Sequence, residues 1–270
     1  MKLLMKDEAR GKEHTIFVTI FAALMVMLVI MVMLMASAIA VSGVTLRLNE
    51  NAVDILDKQV ENRARYIEAQ LQQAQELTDL STYINDKARQ MLGEGTISLD
   101  TLDSPGGESL PLLEAAAPRL LEALRTKQVS GIFLILNTHD FTERVSGNLL
   151  PCVYLRDLDP EATPSADNSD VMFEHAPAEL VQTFGITTDK AWTPAQLYLD
   201  GEEDVFYVRP FQAAYESEER IRAADYGRWT TLPYTLLGDD REAIAYAQPL
   251  ILEDGTVYGI LGIEMLESYM

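Results

Sequence analysis

Hydrophobic and polar positions divide the chain into three stretches of different period. From Thr15 to Leu46 no Asp, Glu, Lys or Arg interrupts the sequence, and its middle reads FAALMVMLVIMVMLMASAIA. About 20 apolar residues at 1.5 Å rise cross a bilayer core, so this run predicts a membrane-spanning helix over 15–45. Residues 46–92 are rich in Glu, Gln, Arg, Ala and Leu, good helix formers, and no proline occurs before Pro105. Val53, Leu56, Val60, Ala64, Ile67, Leu71 and Ala74 recur at spacings of three or four, and the stripe then shifts to Leu77, Leu80, Ile84, Ala88 and Met91. This predicts one long stalk helix whose near end pairs with a second copy and whose far end packs on a sheet.

Beyond Gly93-Glu-Gly95 the period shortens. A helix is expected around Leu113–Leu124, with Pro111 in its first turn and Pro118 marking a kink or a later start. Strands are expected at 129–136, 152–156 and 205–208, with a short helix near 178–183. A final hairpin joins 243–252 to 256–264 through Asp254-Gly255. Helices first and about five strands afterwards predict an α+β fold with an antiparallel sheet flanked by helices. The domains are then a tail (1–14), a span (15–45), a stalk helix (46–92) and an α+β domain (93–270).

Charge sets the orientation. The tail carries Lys2, Lys6, Arg10 and Lys12, whereas Arg47 stands alone before Lys58 on the far flank. The positive-inside rule predicts a cytoplasmic N-terminus and residues 47–270 outside the cytoplasm. Ala36-Ser37-Ala38 and Ala38-Ile39-Ala40 are cleavage-like, but the apolar run exceeds the usual 7–15-residue signal core, which favours an uncleaved anchor. The whole chain has formal charge −21, from 21 basic and 42 acidic residues. Such a surface repels phosphate backbones, and nucleic acid is excluded as a partner.

Candidate chemistry is sparse. The single cysteine, Cys152, rules out an intrachain disulfide and a multi-cysteine zinc site, and the three histidines have no metal-ligand spacing. There is no GxSxG, P-loop or glycine-rich dinucleotide turn, so no enzyme, cofactor or metal is expected. Segment 157–170 is acidic but lacks the ordered spacing of an EF-hand loop and reads as a solvated insertion. Asp239-Asp240 reads as a solvated turn rather than an acid–base pair. The richest cluster is aromatic and polar: Arg209, Phe211, Tyr226, Trp229, Tyr234, Asp239 and Tyr246, with Phe206, Tyr207 and Arg228 nearby. Small-molecule pockets combine aromatic walls with a few orienting charges. An Arg clamps a carboxylate, and an Asp or an aromatic face holds an ammonium. Ordinary core aromatics give the same composition.

These residues also carry a resemblance. The closing run DYGRWTTLPYTLLGDDREAIAYAQPLILEDGTVYGILGIEM (225–265), with Trp229, Pro233 and Tyr234 and the ending Gly255 to Glu264, resembles bacterial Cache domains. These are extracytoplasmic PAS-like sensors of histidine kinases, diguanylate cyclases and chemoreceptors. Val208-Arg209-Pro210-Phe211 is similar to the Arg-aromatic motif that binds a ligand carboxylate in that family. The resemblance implies an amino acid or other carboxylate or amine metabolite as ligand and a membrane receptor, while the apolar seam of the stalk predicts a homodimer through residues 46–92. Because the family continues into further domains, it also implies that the chain is a truncated sensing portion, with a single-pass protein as the alternative. A second reading, independent of the resemblance, is a membrane-anchored interaction protein with a coiled-coil stalk and an acidic domain.

Overall fold

The computed structural model describes the chain except residues 1, 105–106, 145–147, 158, 198–205, 218–221 and 236–239, and except the side chains of residues 2–17 and 43–50. The chain forms two compact units, Met1–Tyr66 and Ile67–Met270. The described residues of the first are all helical, part of α1 (Lys2–Ala74). Within it Val18–Ser42 has a mean hydropathy of 2.9 and no buried side chains, and it is the one described helix long and apolar enough to cross a membrane. Val53, Ile55, Leu56 and Val60 further along the same unit are also exposed.

The second unit is an α+β domain. Its helices are the end of α1, then α2 (Thr78–Glu94), α3 (Leu110–Lys127), α4 (Ala178–Phe184) and α5 (Val208–Tyr215). Its strands are β1 (Gly131–Leu136), β2 (Leu149–Asp157), β3 (Val171–His175), β4 (Thr187–Thr193), β5 (Ala195–Leu197), β6 (Arg228–Trp229), β7 (Ala243–Ile251) and β8 (Val257–Leu266). They make one eight-stranded sheet in the order β4-β3-β2-β1-β8-β7-β6, with β5 paired to one end of β2. Helices α2 and α3 cover one face, while α5 and the 3-10 turn Ala223–Tyr226 pack against β7 and β8. Strand β1 is buried along its whole length, which is why GIFLIL reads as an unbroken apolar run instead of an alternating one.

Four expectations are corrected. The proline-free stretch 46–92 is not one helix: α1 ends at Ala74, and Gln75–Leu77 separate it from α2. Helix propensity did not foresee this break because it is made by distant partners. Lys127 Nζ donates to the carbonyls of Gln73 (3.2 Å) and Glu76, satisfying acceptors that a helix end leaves open. The expected strand at 205–208 is instead a turn at Phe206 and Tyr207 that leads into helix α5 at Val208, Val205 lying outside the described residues. Tyr207, Pro210, Phe211 and Ala214 are buried, a helical period that outweighs the β-propensity of the aromatics. Pro210 falls in the first turn, where its missing N–H costs nothing. Among the described residues the sheet has eight strands, not about five, because short segments such as Ala195–Leu197 and Arg228–Trp229 pair only in the tertiary context. It is also not wholly antiparallel, since β3 and β4 run parallel.

Other local signals act as written. Gly95, at φ 71°, closes α2 while its N–H bonds the Leu92 carbonyl. Gly255, at φ 93°, turns the β7–β8 hairpin. Pro118 sits inside α3 on its exposed side without ending it. The acidic stretch after β2 is anchored where Arg125 bonds Asp170 (2.8 and 3.0 Å) and Asn168 (3.0 Å). The hydrogen bonds from Arg125 hold the Asp170 carboxyl down at about 2.

Candidate functional site

On the face opposite α2 and α3 the sheet carries a layer of aromatic rings over a buried charged cluster. Register explains how it forms. Gly131 on β1 lies opposite Arg156 on β2 and Glu264 on β8. Since side chains in register share a face, the Arg156 guanidinium reaches Glu264 across a residue with no side chain. Arg156 Nε donates to Glu264 Oε1 at 3.1 Å, and Arg156 Nη1 lies 3.7 Å from Glu174 Oε2 on β3. Arg156 is 1 % exposed, Glu174 2 % and Glu264 0 %. A Cβ at position 131 would stand 2.9 Å from the Glu264 Cβ and 3.1 Å from the Tyr154 ring.

Two residues along, Tyr154, Phe133, Gly262 and Ala247 form the next row. Phe133 lies across Gly262, where an added Cβ would be 2.2 Å from the Phe133 ring and 2.6 Å from the Tyr246 carbonyl oxygen. Gly262→Ala is therefore expected to destabilise the domain by about 1–3 kcal/mol, the range for overpacked cores, because the backbone carbonyl cannot swing aside. A shift of the urea midpoint checks this, and an unchanged midpoint would refute it.

Hydroxyls complete the cluster. Tyr154 Oη donates to Glu264 Oε2 at 2.5 Å, and Tyr234 Oη lies 3.4 Å from both that oxygen and Tyr154 Oη. Burial, and then the negative charge of Glu264, push both phenols well above their ordinary value, so they remain protonated donors at neutral pH. Tyr234 stacks on Phe206 with centroids 4.9 Å apart and planes at 20°, and Phe206 meets the edge of Phe133 at 4.9 Å. His175, beside Tyr154 at 6.1 Å between centroids, bonds Thr193 Oγ1 at 2.6 Å. Burial lowers its imidazole to about 4, so it is neutral at pH 7. The arrangement offers a guanidinium, carboxyl groups and two hydroxyl donors beneath aromatic walls, a combination suited to orienting a small polar molecule.

The sheet divides the residues predicted from sequence. Tyr234 belongs to the buried cluster. Phe211 and Tyr226 are buried in the same aromatic layer, Phe211 edge-on to Phe141 at 5.0 Å. Arg209 is exposed on α5, and Asp239 lies outside the described residues. Trp229 and Tyr246 lie on the opposite face, packed against each other at 5.5 Å within the core beneath α2 and α3. Alternation along β7 separates them: Ala245 and Ala247 face the aromatic layer, so Tyr246 between them faces the helices. Sequence reasoning missed Tyr154, Arg156, Glu174 and Glu264. Their signal was a charge inside an apolar strand, as in CVYLR, VMFEH and ILGIEML. A separate polar knot was missed as well. There His139 Nδ1 meets Asp103 Oδ2 at 2.7 Å, and Arg144 bonds the same oxygen. Burial alone would raise the Asp103 carboxyl, but the hydrogen bonds of His139 and the Thr138 N–H, together with the Arg144 charge, hold it below its usual value.

No family model matches the chain, and no curated protein matches it. Among solved structures, the periplasmic sensory domain of the Campylobacter jejuni chemoreceptor Tlp1 is similar at 12% identity and TM-score 0.39, with 77% of this chain and 58% of that one covered. The extracellular domain of soHK1S-Z6, a candidate histidine kinase, is similar at 13% identity and TM-score 0.32, with 78% and 64% covered. The chain thus spans less than two thirds of either structure, and likeness at these scores carries no functional assignment. The fold itself defines an α+β domain that follows, along the chain, a helix of membrane-spanning length.

Proposed function

We propose that residues 67–270 form the small-molecule-sensing part of a membrane receptor of the Cache type. In this reading the N-terminus is cytoplasmic, the domain is extracytoplasmic, and the chain acts as a receptor instead of an enzyme. The observation that carries the reading is the cluster of buried Arg156, Glu174, Glu264 and Tyr154 with half-buried Tyr234, beneath Phe206 and Phe133. Burying charges costs several kcal/mol per ion, and well-packed apolar residues would stabilise the same sheet as well or better. A ligand that exchanges hydrogen bonds with these groups gives the cluster a purpose that stability alone does not. Amino acids and related carboxylate or amine metabolites have the matching chemistry.

Such a ligand would act by favouring one arrangement of the domain over another. The exposed Val53, Leu56 and Val60 of the membrane-proximal unit suit pairing with a second copy, making the receptor a homodimer through residues 46–92.

The test is a thermal-shift screen of the full chain in nanodiscs against amino acids, organic acids and amines. A metabolite at 100 times its Kd should stabilise the domain by about 2.7 kcal/mol. Glu264→Gln and Tyr234→Phe should reduce that shift, while Arg209→Ala, altering an exposed side chain, should leave it. A library without a single stabilising compound, or equal shifts in all three variants and wild type, would count against the proposal.

A further inference from the structure

The segment from Tyr226 to Tyr234 touches both faces of the sheet. Tyr226 is buried in the aromatic layer, Trp229 packs on the helix-covered face, and Tyr234 returns to the charged cluster. Between them β6 pairs, among the described residues, along one side only, with β7: Arg228 opposite Ala247 and Trp229 opposite Tyr246. Thr230 N–H donates to the Ala245 carbonyl at 2.8 Å, and Tyr234 and Ala243 exchange two backbone bonds at 2.9 Å. An edge strand has one ladder to maintain, so it shifts at lower cost than a central one.

On the helix side the segment makes a directional contact. Trp229 Nε1 donates to Gln75 Oε1 at 3.1 Å. Gln75 begins the break between α1 and α2, so the indole holds the point at which the helical path is interrupted. The break is a defined structure. Gln75 N–H bonds the Leu71 carbonyl at 3.0 Å, Leu77 is buried, and Glu76 Oε1 accepts from the Thr78 N–H at 3.1 Å. Close packing also limits how the indole can move: an added Cβ at Gly227 would lie 1.9 Å from the Tyr246 hydroxyl, and Tyr246 packs against Trp229.

We propose that Tyr226–Tyr234 couples the buried cluster to the α1–α2 junction, with Trp229 as the positioning residue that sets the junction through Gln75. This deepens, and rests on, the assignment of the cluster as the ligand site. A change in the hydrogen bonding of Tyr234 moves the edge strand, and the Trp229–Gln75 bond passes that movement to the end of α1. Trp229 therefore acts in relay instead of in ligand contact.

The test replaces an unidentified ligand with a change at the cluster itself. Amide hydrogen exchange of residues 71–81 is measured in the full chain in nanodiscs, relative to the amides of β1. Tyr234→Phe, which keeps its ring and loses the hydroxyl, and Trp229→Phe, which keeps an aromatic side chain but loses the indole N–H, should each accelerate exchange at 71–81 by about fivefold, the worth of one neutral hydrogen bond, without accelerating β1. Gln75→Met should reproduce Trp229→Phe from the other side of the contact. In the double variant Tyr234→Phe/Trp229→Phe, exchange should be no faster than in Trp229→Phe alone, the non-additivity expected of two residues acting in series. Unchanged exchange in Tyr234→Phe, additive effects in the double variant, or equal acceleration of 71–81 and β1 would each overturn the proposal. The exchange experiment needs no ligand. A metabolite screen without a hit therefore removes the sensing assignment while the coupling stands, and additive exchange removes the coupling while sensing stands.

Discussion

Arg156→Met should cost residues 67–270 about 3–5 kcal/mol of stability, the penalty for leaving a buried charge without its partner. Arg156 Nε is 3.1 Å from Glu264 Oε1, and both residues are almost fully excluded from solvent. Removing the guanidinium leaves the carboxyl groups of Glu264 and Glu174 facing an apolar thioether. The double variant Arg156→Met/Glu264→Leu should recover part of the loss, because it removes both ends of that bond and leaves an apolar row across β2, β1 and β8, while the buried Glu174 still lacks the guanidinium. Trp192 and Trp229 are the only tryptophans and both belong to this domain, so urea unfolding followed by indole fluorescence reads it directly. A loss under about 1 kcal/mol for Arg156→Met, the scale of an exposed ion pair, would show that the cluster is solvated and is not the site described here.

The second large effect is pH dependence through His175. The folded imidazole titrates at about 4 against 6.5 in its ordinary state. Between these values the unfolded chain binds a proton at this residue that the folded protein does not. Stability therefore falls as pH is lowered from 6.5 to 4, and this residue has no effect above 6.5. At 1.36 kcal/mol per pH unit the full loss is about 3 kcal/mol. Asp170, whose carboxyl titrates at about 2 against 3.8, loses its contribution in the separate window from 3.8 down to 2. Urea midpoints at pH 7, 5.5 and 4.5 should fall steeply in the wild type and much less in His175→Gln. That substitution keeps a hydrogen-bonding partner for Thr193 without a titrating ring. Parallel slopes in the two proteins would remove His175 as the cause.

How much was legible in advance depends on how far apart the interacting residues lie. The stop at Gly95, the turn at Asp254-Gly255 and the stripe Leu80, Ile84 and Ala88 facing the core each follow from a few neighbouring residues. The α5 helix was legible in principle, since Tyr207, Pro210, Phe211 and Ala214 keep helical spacing, but the aromatic-rich VFYV obscured it. The candidate site was only partly legible. Tyr234 was found among the aromatics, whereas Arg156 and Glu264, 108 residues apart, become a pair only when β2 and β8 flank Gly131. Trp229 and Tyr246 were grouped with the site for their composition, and the pleat put them on the other face.

The sequence by itself determined an uncharged helix of membrane-spanning length, an α+β domain after it and the closing hairpin. Periodicity, propensity and turn chemistry are local and can be read along the chain. The tertiary structure alone decided where the long helix breaks, since that break is held by Lys127 and Trp229 from elsewhere in the fold. It also decided which face each aromatic occupies and that a buried cluster exists at all. Strand register sets those outcomes, and a shift of one residue would have exchanged the two faces.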